Sequence, residues 1–209
     1  MTREDTVRTL LDRYGPSFAE QAGIRLTDTP SPLYRLLVLA HLLSARISAD
    51  VAVAAARELS AAGYRTPRRM LDATWQQRVD ALGRGHYRRY DERTATQLGD
   101  GAQLLLERWH GDLRRLRDEA DGAPAGISRL LTEFPGIGPT GADIILREVQ
   151  STWPSVAPYA DERVRSTART LRLPHSAAGL AKLVPAAELP RLAAALIRAH
   201  GHEQELRAA

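Results

Sequence analysis

The chain contains no cysteine. A disulfide, a zinc ribbon and a thiolate-ligated iron–sulfur cluster are therefore excluded. Lysine is nearly absent as well: Lys182 is the only one among 29 basic residues, and the others are arginines. No apolar run approaches the ~20 residues that span a bilayer, and no basic, apolar and small-residue succession reads as a signal peptide. A cytoplasmic protein is the expectation. Strand-like alternation, internal repeats and low-complexity tracts are also missing, which leaves an all-α chain.

What is present is arginine and helical periodicity. At 209 residues the chain can bury one large core or two small ones. Its formal charge is +4 and its pI 9.8. Arginine binds phosphate bidentately and stacks on bases, so the bias suits a nucleic-acid partner. A GC-rich genome produces the same bias, so charge only supports an argument made elsewhere.

Val7, Leu10, Leu11 and Tyr14 mark an N-terminal amphipathic helix that ends before Gly15-Pro16, and a polar connection runs on to Asp28. Ser31 as cap, Pro32 at the first position and Leu33, Leu36, Leu37, Ala40 and Leu43 as the buried stripe predict the next helix. Residues 50–62 read as a helix rich in alanine and valine. Thr66-Pro67 repeats the cap-plus-proline signal, and Thr74 with Gln77 forms a capping box for a short helix to Leu82. Residues 82–90 form a loop carrying arginines, two tyrosines and His86. Leu98, Ala102, Leu105, Leu106 and Trp109 mark a long helix, and residues 111–126 read as a charged connection. Beyond residues 153–160, which lack a helical period, Val164, Ala168 and Leu171 begin another helix. Leu180 and Leu183 suggest a short one, and Leu189, Leu192, Ala193, Leu196 and Ile197 a last amphipathic one.

Residues 127–149 organise the rest. Ile127, Leu130, Leu131 and Phe134 stand at i, i+3, i+4 and i+7, and Ala142, Ile145, Leu146 and Val149 repeat that spacing. Between them lies Pro135-Gly136-Ile137-Gly138-Pro139, where glycine permits positive φ and Pro139 fits the first turn of the second helix. So short a turn makes a tight αα-hairpin, with backbone amides at a helix N-terminus where an anion is favoured.

Pro135-Gly136-Ile137-Gly138, followed by Ala142, Ile145 and Leu146, resembles the helix-hairpin-helix of the DNA glycosylases of the endonuclease III superfamily, in which the hairpin amides hold a DNA phosphate. Leu42-Leu43-Ser44-Ala45-Arg46 is similar to the family's LLSAQ segment. The stretch from Trp153-Pro154-Ser155-Val156 to Asp161 is similar to its WP…VD segment. All three stand in the family's order across residues 30–172. The resemblance implies an all-α, two-lobed helical DNA glycosylase fold. Residues 28–152, with the helix-hairpin-helix at 127–149, would form one domain, residues 1–27 plus 153–209 the other, and the active site would lie in the cleft between them. It further implies a monomeric base-excision-repair N-glycosylase acting on double-stranded DNA that carries a damaged or mismatched base or an abasic site. Such a protein would be nucleoid-associated in the cytoplasm, with no membrane attachment. No cofactor is required by this reading, and the cluster that many relatives carry is ruled out. A monovalent cation at the hairpin carbonyls is implied, as in relatives. No other metal is expected, because neither His86 nor His200 with His202 has further ligands at ligand spacing.

Breaking an N-glycosidic bond builds positive charge on the sugar, and a facing carboxylate can steady it and orient water. By resemblance that carboxylate is Asp161. By local sequence, an Asp before Glu162-Arg163-Val164 is a helix N-cap, and one carboxylate can serve both ends. The spacing from the hairpin is longer than the family's, which keeps Glu162 and Asp143 as alternatives. Thr140 stands where bifunctional relatives have the lysine that forms a Schiff base, and threonine has no amine to form one. Hydrolysis without an efficient lyase step is expected, with Thr140 bordering the base pocket. Gly136, Ile137, Gly138 and Thr140 are the expected phosphate contacts, while Pro139 has no amide to give. Arg46, at the family's gap-filling glutamine, and the loop residues His86, Tyr87 and Arg88 are expected to hold the opened duplex. The alternative is a catalytically inactive or weak-lyase DNA-binding protein that recognises distorted or abasic DNA.

Overall fold

The computed structural model describes residues 2–203 and 206. Among these the chain is all-α, with one 3-10 turn (Ala186–Glu188) and no strand. The helices are α1 (Arg3–Tyr14), α2 (Phe18–Gln21), α3 (Pro30–Leu43), α4 (Ala49–Ala61), α5 (Pro67–Asp72), α6 (Trp75–Arg84), α7 (Asp91–Trp109), α8 (Leu113–Glu119), α9 (Pro124–Leu131), α10 (Pro139–Val149), α11 (Glu162–Thr170), α12 (Ala177–Leu180) and α13 (Leu189–Ala199). None of them is long and apolar enough to cross a membrane.

Four local expectations are corrected. The connection before Asp28 contains the single turn α2, and the charged stretch 111–126 folds as α8 and the start of α9. Both helices are too short to display a full apolar stripe; α8 forms because Asp112 caps it, accepting from Arg114 N at 3.0 Å, while Leu113 and Leu116 are buried. α3 starts two residues earlier, with Thr29 at the cap and Pro30 at the first position. Ser31 instead donates its hydroxyl to the Arg65 carbonyl at 2.9 Å. α6 continues past Leu82 to Arg84, and Gly85 ends it. A Cβ on Gly85 would lie 2.4 Å from Ala55 Cα, so only glycine lets α4 come this close.

The chain divides into two compact units, Met1–Phe18 with Leu146–Ala209, and Ala19–Ile145. Both divisions fall earlier than residues 28 and 152, for local reasons. Residues 19–24 are fastened to the second unit through the Gly23 carbonyl, which accepts from Arg35 Nη2 at 3.0 Å. The last turn of α10 belongs to the first unit because Gln150 clasps the Tyr159 backbone, accepting from its N–H at 3.0 Å and donating to its carbonyl at 3.3 Å.

In the unit built from both termini, α13 packs on α1 and α11. Val7, Leu10, Val164, Ala168, Leu192 and Leu196 form its core, each no more than 5 % exposed. Burying one such leucine contributes about 1.5–3 kcal/mol, so these contacts supply the unit with a hydrophobic core of its own. Arg198 fastens its end by donating to the carbonyls of Tyr14 at 2.7 Å and Pro16 at 2.6 Å, with its guanidinium 4.2 Å from the Phe18 ring centre.

The contiguous unit is arranged around α3, which is apolar on nearly every face and buried from Leu33 to Leu42 apart from Arg35. α3 packs on α4 and α8, and α7 packs on α5 and α6. Trp109 stacks on Phe134 with ring centres 5.5 Å apart, tying α7 to the turn that follows α9. Many arginines serve this scaffold rather than a ligand. Arg78 donates to the carbonyls of Met70, Ala73 and Ala95, and Arg108, Arg114 and Arg117 pair with carboxylates. The basic composition therefore overstates the surface free to meet phosphate.

Candidate functional site

The hairpin turn is built by two glycines with different physical roles. Gly136 has φ +81°, and an L-side chain there would place Cβ 2.3 Å from His41 Cε1 and 2.7 Å from Gln97 Oε1. It is glycine because both the backbone angle and the space demand it. Gly138 is ordinary in φ, and nothing lies within 4 Å of where its Cβ would be. Its open side leaves room for a ligand to approach the backbone. Ile137 is buried and its amide donates to the Phe134 carbonyl at 3.0 Å, so that amide is spent inside the turn. The first bond closing α10 runs from Ala142 N to Gly138 O at 3.1 Å. The amides of Thr140 and Gly141 thus lie in the first turn, where intrahelical acceptors are missing. Thr140 is exposed.

The segment after α3 is locked to this hairpin. A Cβ on Gly141 would meet Ser44 Oγ at 2.7 Å, and Ser44 Oγ itself donates to the Ala40 carbonyl at 2.6 Å. Arg46 extends from the following turn and is exposed. It lines a cleft of about 320 Å³ with His41, Ser44, Tyr87, Tyr90, Arg93, Thr94, Gln97 and Gly136. Of the four residues expected to hold opened DNA, Arg46 and Tyr87 share this cleft. Tyr87 is fully buried at its floor, near the Thr94 hydroxyl at 3.3 Å, and so cannot enter a duplex from where it sits. His86, with φ +62°, is exposed beside Arg57, Glu58 and Arg84 on a separate depression. Arg88 lines another with Asp80 and Asp91.

His41 is the buried polar group beneath the turn. Burial pushes its pKa from 6.5 down to about 4; the hydrogen bond with Gln97 opposes that shift, and the nearby Arg93 charge adds to it. The folded state therefore binds fewer protons than the unfolded state between these values. Stability is full above about pH 6.5, falls as pH drops toward 4, and stops falling below, for a total of about 3 kcal/mol. Urea unfolding of the protein at pH 7 and pH 4.5 should show most of this loss. His41→Gln, which cannot titrate, should remove that component, and an unchanged pH dependence in that variant would rule out His41 as its source.

Asp161 caps α11. Its Oδ1 accepts from Arg163 N at 2.8 Å and Val164 N at 3.1 Å, and its Oδ2 accepts from Arg147 Nη1 at 2.5 Å. The two side chains are 5 % and 6 % exposed, so this is a buried ion pair. Gln150 braces it by donating to the Arg147 carbonyl at 3.0 Å. Glu162 is exposed, with Arg169 at 3.7 Å. Lys182 is exposed, and His200 lies 3.4 Å from Glu203. Among the described residues no group of histidines and carboxylates could hold a metal ion.

No family model matches the chain, and no curated protein does. Among solved structures, it is similar to a trapped covalent endonuclease III–DNA intermediate with an estranged adenine and to a non-covalent endonuclease III–DNA complex. Each is 19 % identical to it with a TM-score of 0.50, over 95 % of this chain and 86 % of the other. The chain has the endonuclease III fold.

Within that fold, four residues at these places carried little or no signal in the sequence. Arg93 and Gln97 lie one helical turn apart on α7, in a polar stretch that gave no reason to single them out. His41 did carry a signal, a lone polar residue in the apolar run of α3. Arg147, the partner of Asp161, read as a charged residue in the last turn of an amphipathic helix.

Proposed function

We propose that the chain grips double-stranded DNA with its hairpin and hydrolyses the N-glycosidic bond of a damaged or mismatched base, without a lyase step. The observation that carries this reading is the hairpin itself: amides of Thr140 and Gly141 at a helix start, Gly138 open on one side, and, nearby in the same unit, the guanidiniums of Arg46 and Arg93, which pair with no carboxylate among the described residues. A helix N-terminus contributes about 0.3–1 kcal/mol per anion, so duplex binding needs the arginines too. In the reaction the C1′–N bond breaks with its electron pair leaving on the base. Asp161 steadies the sugar cation, water adds to C1′, and the proton that water loses ends on the departing base. Thr140 supplies no amine, so no imine forms. A monovalent cation at the hairpin and a monomeric state belong to the same proposal.

The Arg147–Asp161 pair favours a second reading, a protein that recognises distorted or abasic DNA without cutting a bond. A carboxylate already accepting three hydrogen bonds has less negative field to offer a sugar cation. Incubation with a panel of damaged and mismatched duplexes, followed by alkali, separates the two. Alkali-labile sites on at least one duplex are expected; binding without any such site across the panel would leave the reader. Borohydride should trap no covalent adduct on abasic DNA, and a trapped adduct would contradict the absence of an imine step.

A further inference from the structure

The cleft beside the hairpin turn carries polar and aromatic groups that gripping a DNA backbone does not use. Its walls carry Arg46 from the turn after α3 and Arg93 from α7, both exposed and neither paired with a carboxylate among the described residues. No acidic residue lines it. Two guanidiniums set around one opening without a counter-charge repel each other until an anion arrives, and a guanidinium fork matches phosphate oxygens. The floor is polar and neutral: His41 and Gln97 bonded to each other, and the Tyr87 hydroxyl beside Thr94. Tyr90 adds a half-buried aromatic face, with the Arg89 guanidinium 5.2 Å from its ring centre. At about 320 Å³ the space is at the lower end for a small-molecule site, enough for one base and sugar with the phosphate at the rim.

We infer that this cleft is a nucleotide subsite, taking a phosphate ester on Arg46 and Arg93 and its attached base against Tyr90 and the Gln97 amide. It adjoins the hairpin turn through Gly136 and deepens the proposed duplex grip, on whose two arginines it rests, but does not depend on whether Asp161 catalyses anything. The nucleotide can come from a DNA strand or from free solution, and both present the same phosphate and ring.

Titration of the full chain with deoxyguanosine 5′-monophosphate, deoxyguanosine and inorganic phosphate, followed by calorimetry, tests it. The monophosphate should bind more tightly than either fragment. Arg93→Met and Arg46→Met should each weaken it by roughly tenfold, the worth of one charge-assisted contact, while Arg69→Met, on exposed surface elsewhere in the same unit, should not. Gln97→Leu should narrow the gap between monophosphate and inorganic phosphate, because it removes a base contact and leaves the guanidiniums. Competition by a plain duplex assigns the occupant to a DNA strand, and continued monophosphate binding in its presence assigns it to a free nucleotide; both support the subsite. Absence of monophosphate binding at millimolar concentration, or binding unaffected by both arginine variants, overturns it. Duplex binding by a Gly138→Ala hairpin variant is read in parallel, so failure of the hairpin as a DNA grip is seen separately from failure of this cleft.

Discussion

Arg147→Met should lower the stability of the protein by about 3–5 kcal/mol, because it leaves the Asp161 carboxylate buried with no cation beside it. Methionine keeps most of the length and apolar stem of arginine, so little of the loss comes from an empty cavity. Asp161→Asn leaves the opposite orphan. Asparagine still caps α11 through its side-chain oxygen, but the buried Arg147 guanidinium then faces a neutral amide. The double variant Arg147→Met/Asp161→Asn should be less damaged than the sum of the two, since neither charge remains to be satisfied. Urea unfolding followed by tryptophan fluorescence measures all three, and strict additivity would mean that the pair contributes no coupling.

The same variants decide the chemistry. If Asp161 is the reacting carboxylate, Asp161→Asn should form no alkali-labile sites while still binding duplex, because the hairpin contains none of the altered atoms. Arg147→Met, assayed at a temperature where it stays folded, should retain them. Asp161→Asn that cleaves like the parent protein would remove the carboxylate from the mechanism.

The second large effect belongs to the hairpin, where both glycine substitutions should weaken DNA binding but only one should also cost stability. Gly136→Ala forces a side chain into a left-handed backbone, costing about 1–2 kcal/mol, and drives its methyl into the His41 ring, with overpacking of about 1–3 kcal/mol more. The turn must deform, so stability and DNA binding should fall together. Gly138→Ala meets no atom within 4 Å and no strained φ, so its unfolding midpoint should be close to that of the parent. Its added methyl occupies the face left open to a phosphate, and duplex affinity should drop by roughly tenfold, the worth of one charge-assisted hydrogen bond. Fluorescence anisotropy with a labelled duplex measures this. Equal duplex affinity of Gly138→Ala and the parent would mean that phosphate does not approach there.

These contrasts show where sequence reading has resolving power. Every strongly periodic helix was legible, because an apolar stripe at helical spacing survives in one dimension: the Val7 and Leu10 face of α1, the stripe of α3 and both arms of the hairpin. Caps and prolines placed several starts, as at Thr66 and Thr74. Short helices were missed because seven residues around Leu113 and Leu116 cannot display a full period. The residues of the loop after α6 were the least legible part of the site. His86, Tyr87 and Arg88 are consecutive, yet the positive φ at His86 turns them toward three different surroundings.

By itself the sequence determined the all-α class, the tight hairpin with its need for glycine, and the absence of thiolate chemistry and of an amine at position 140, since these follow from residue type and near-neighbour spacing. Only the tertiary structure decided that Asp161 is paired with Arg147, that His41 and Gln97 support the turn, and that Arg46 and Arg93 face one cleft. Those pairings join residues distant along the chain, and burial sets their energies. A charge costs little on a surface and several kcal/mol in a core, and where a side chain lies becomes definite only once the helices have packed.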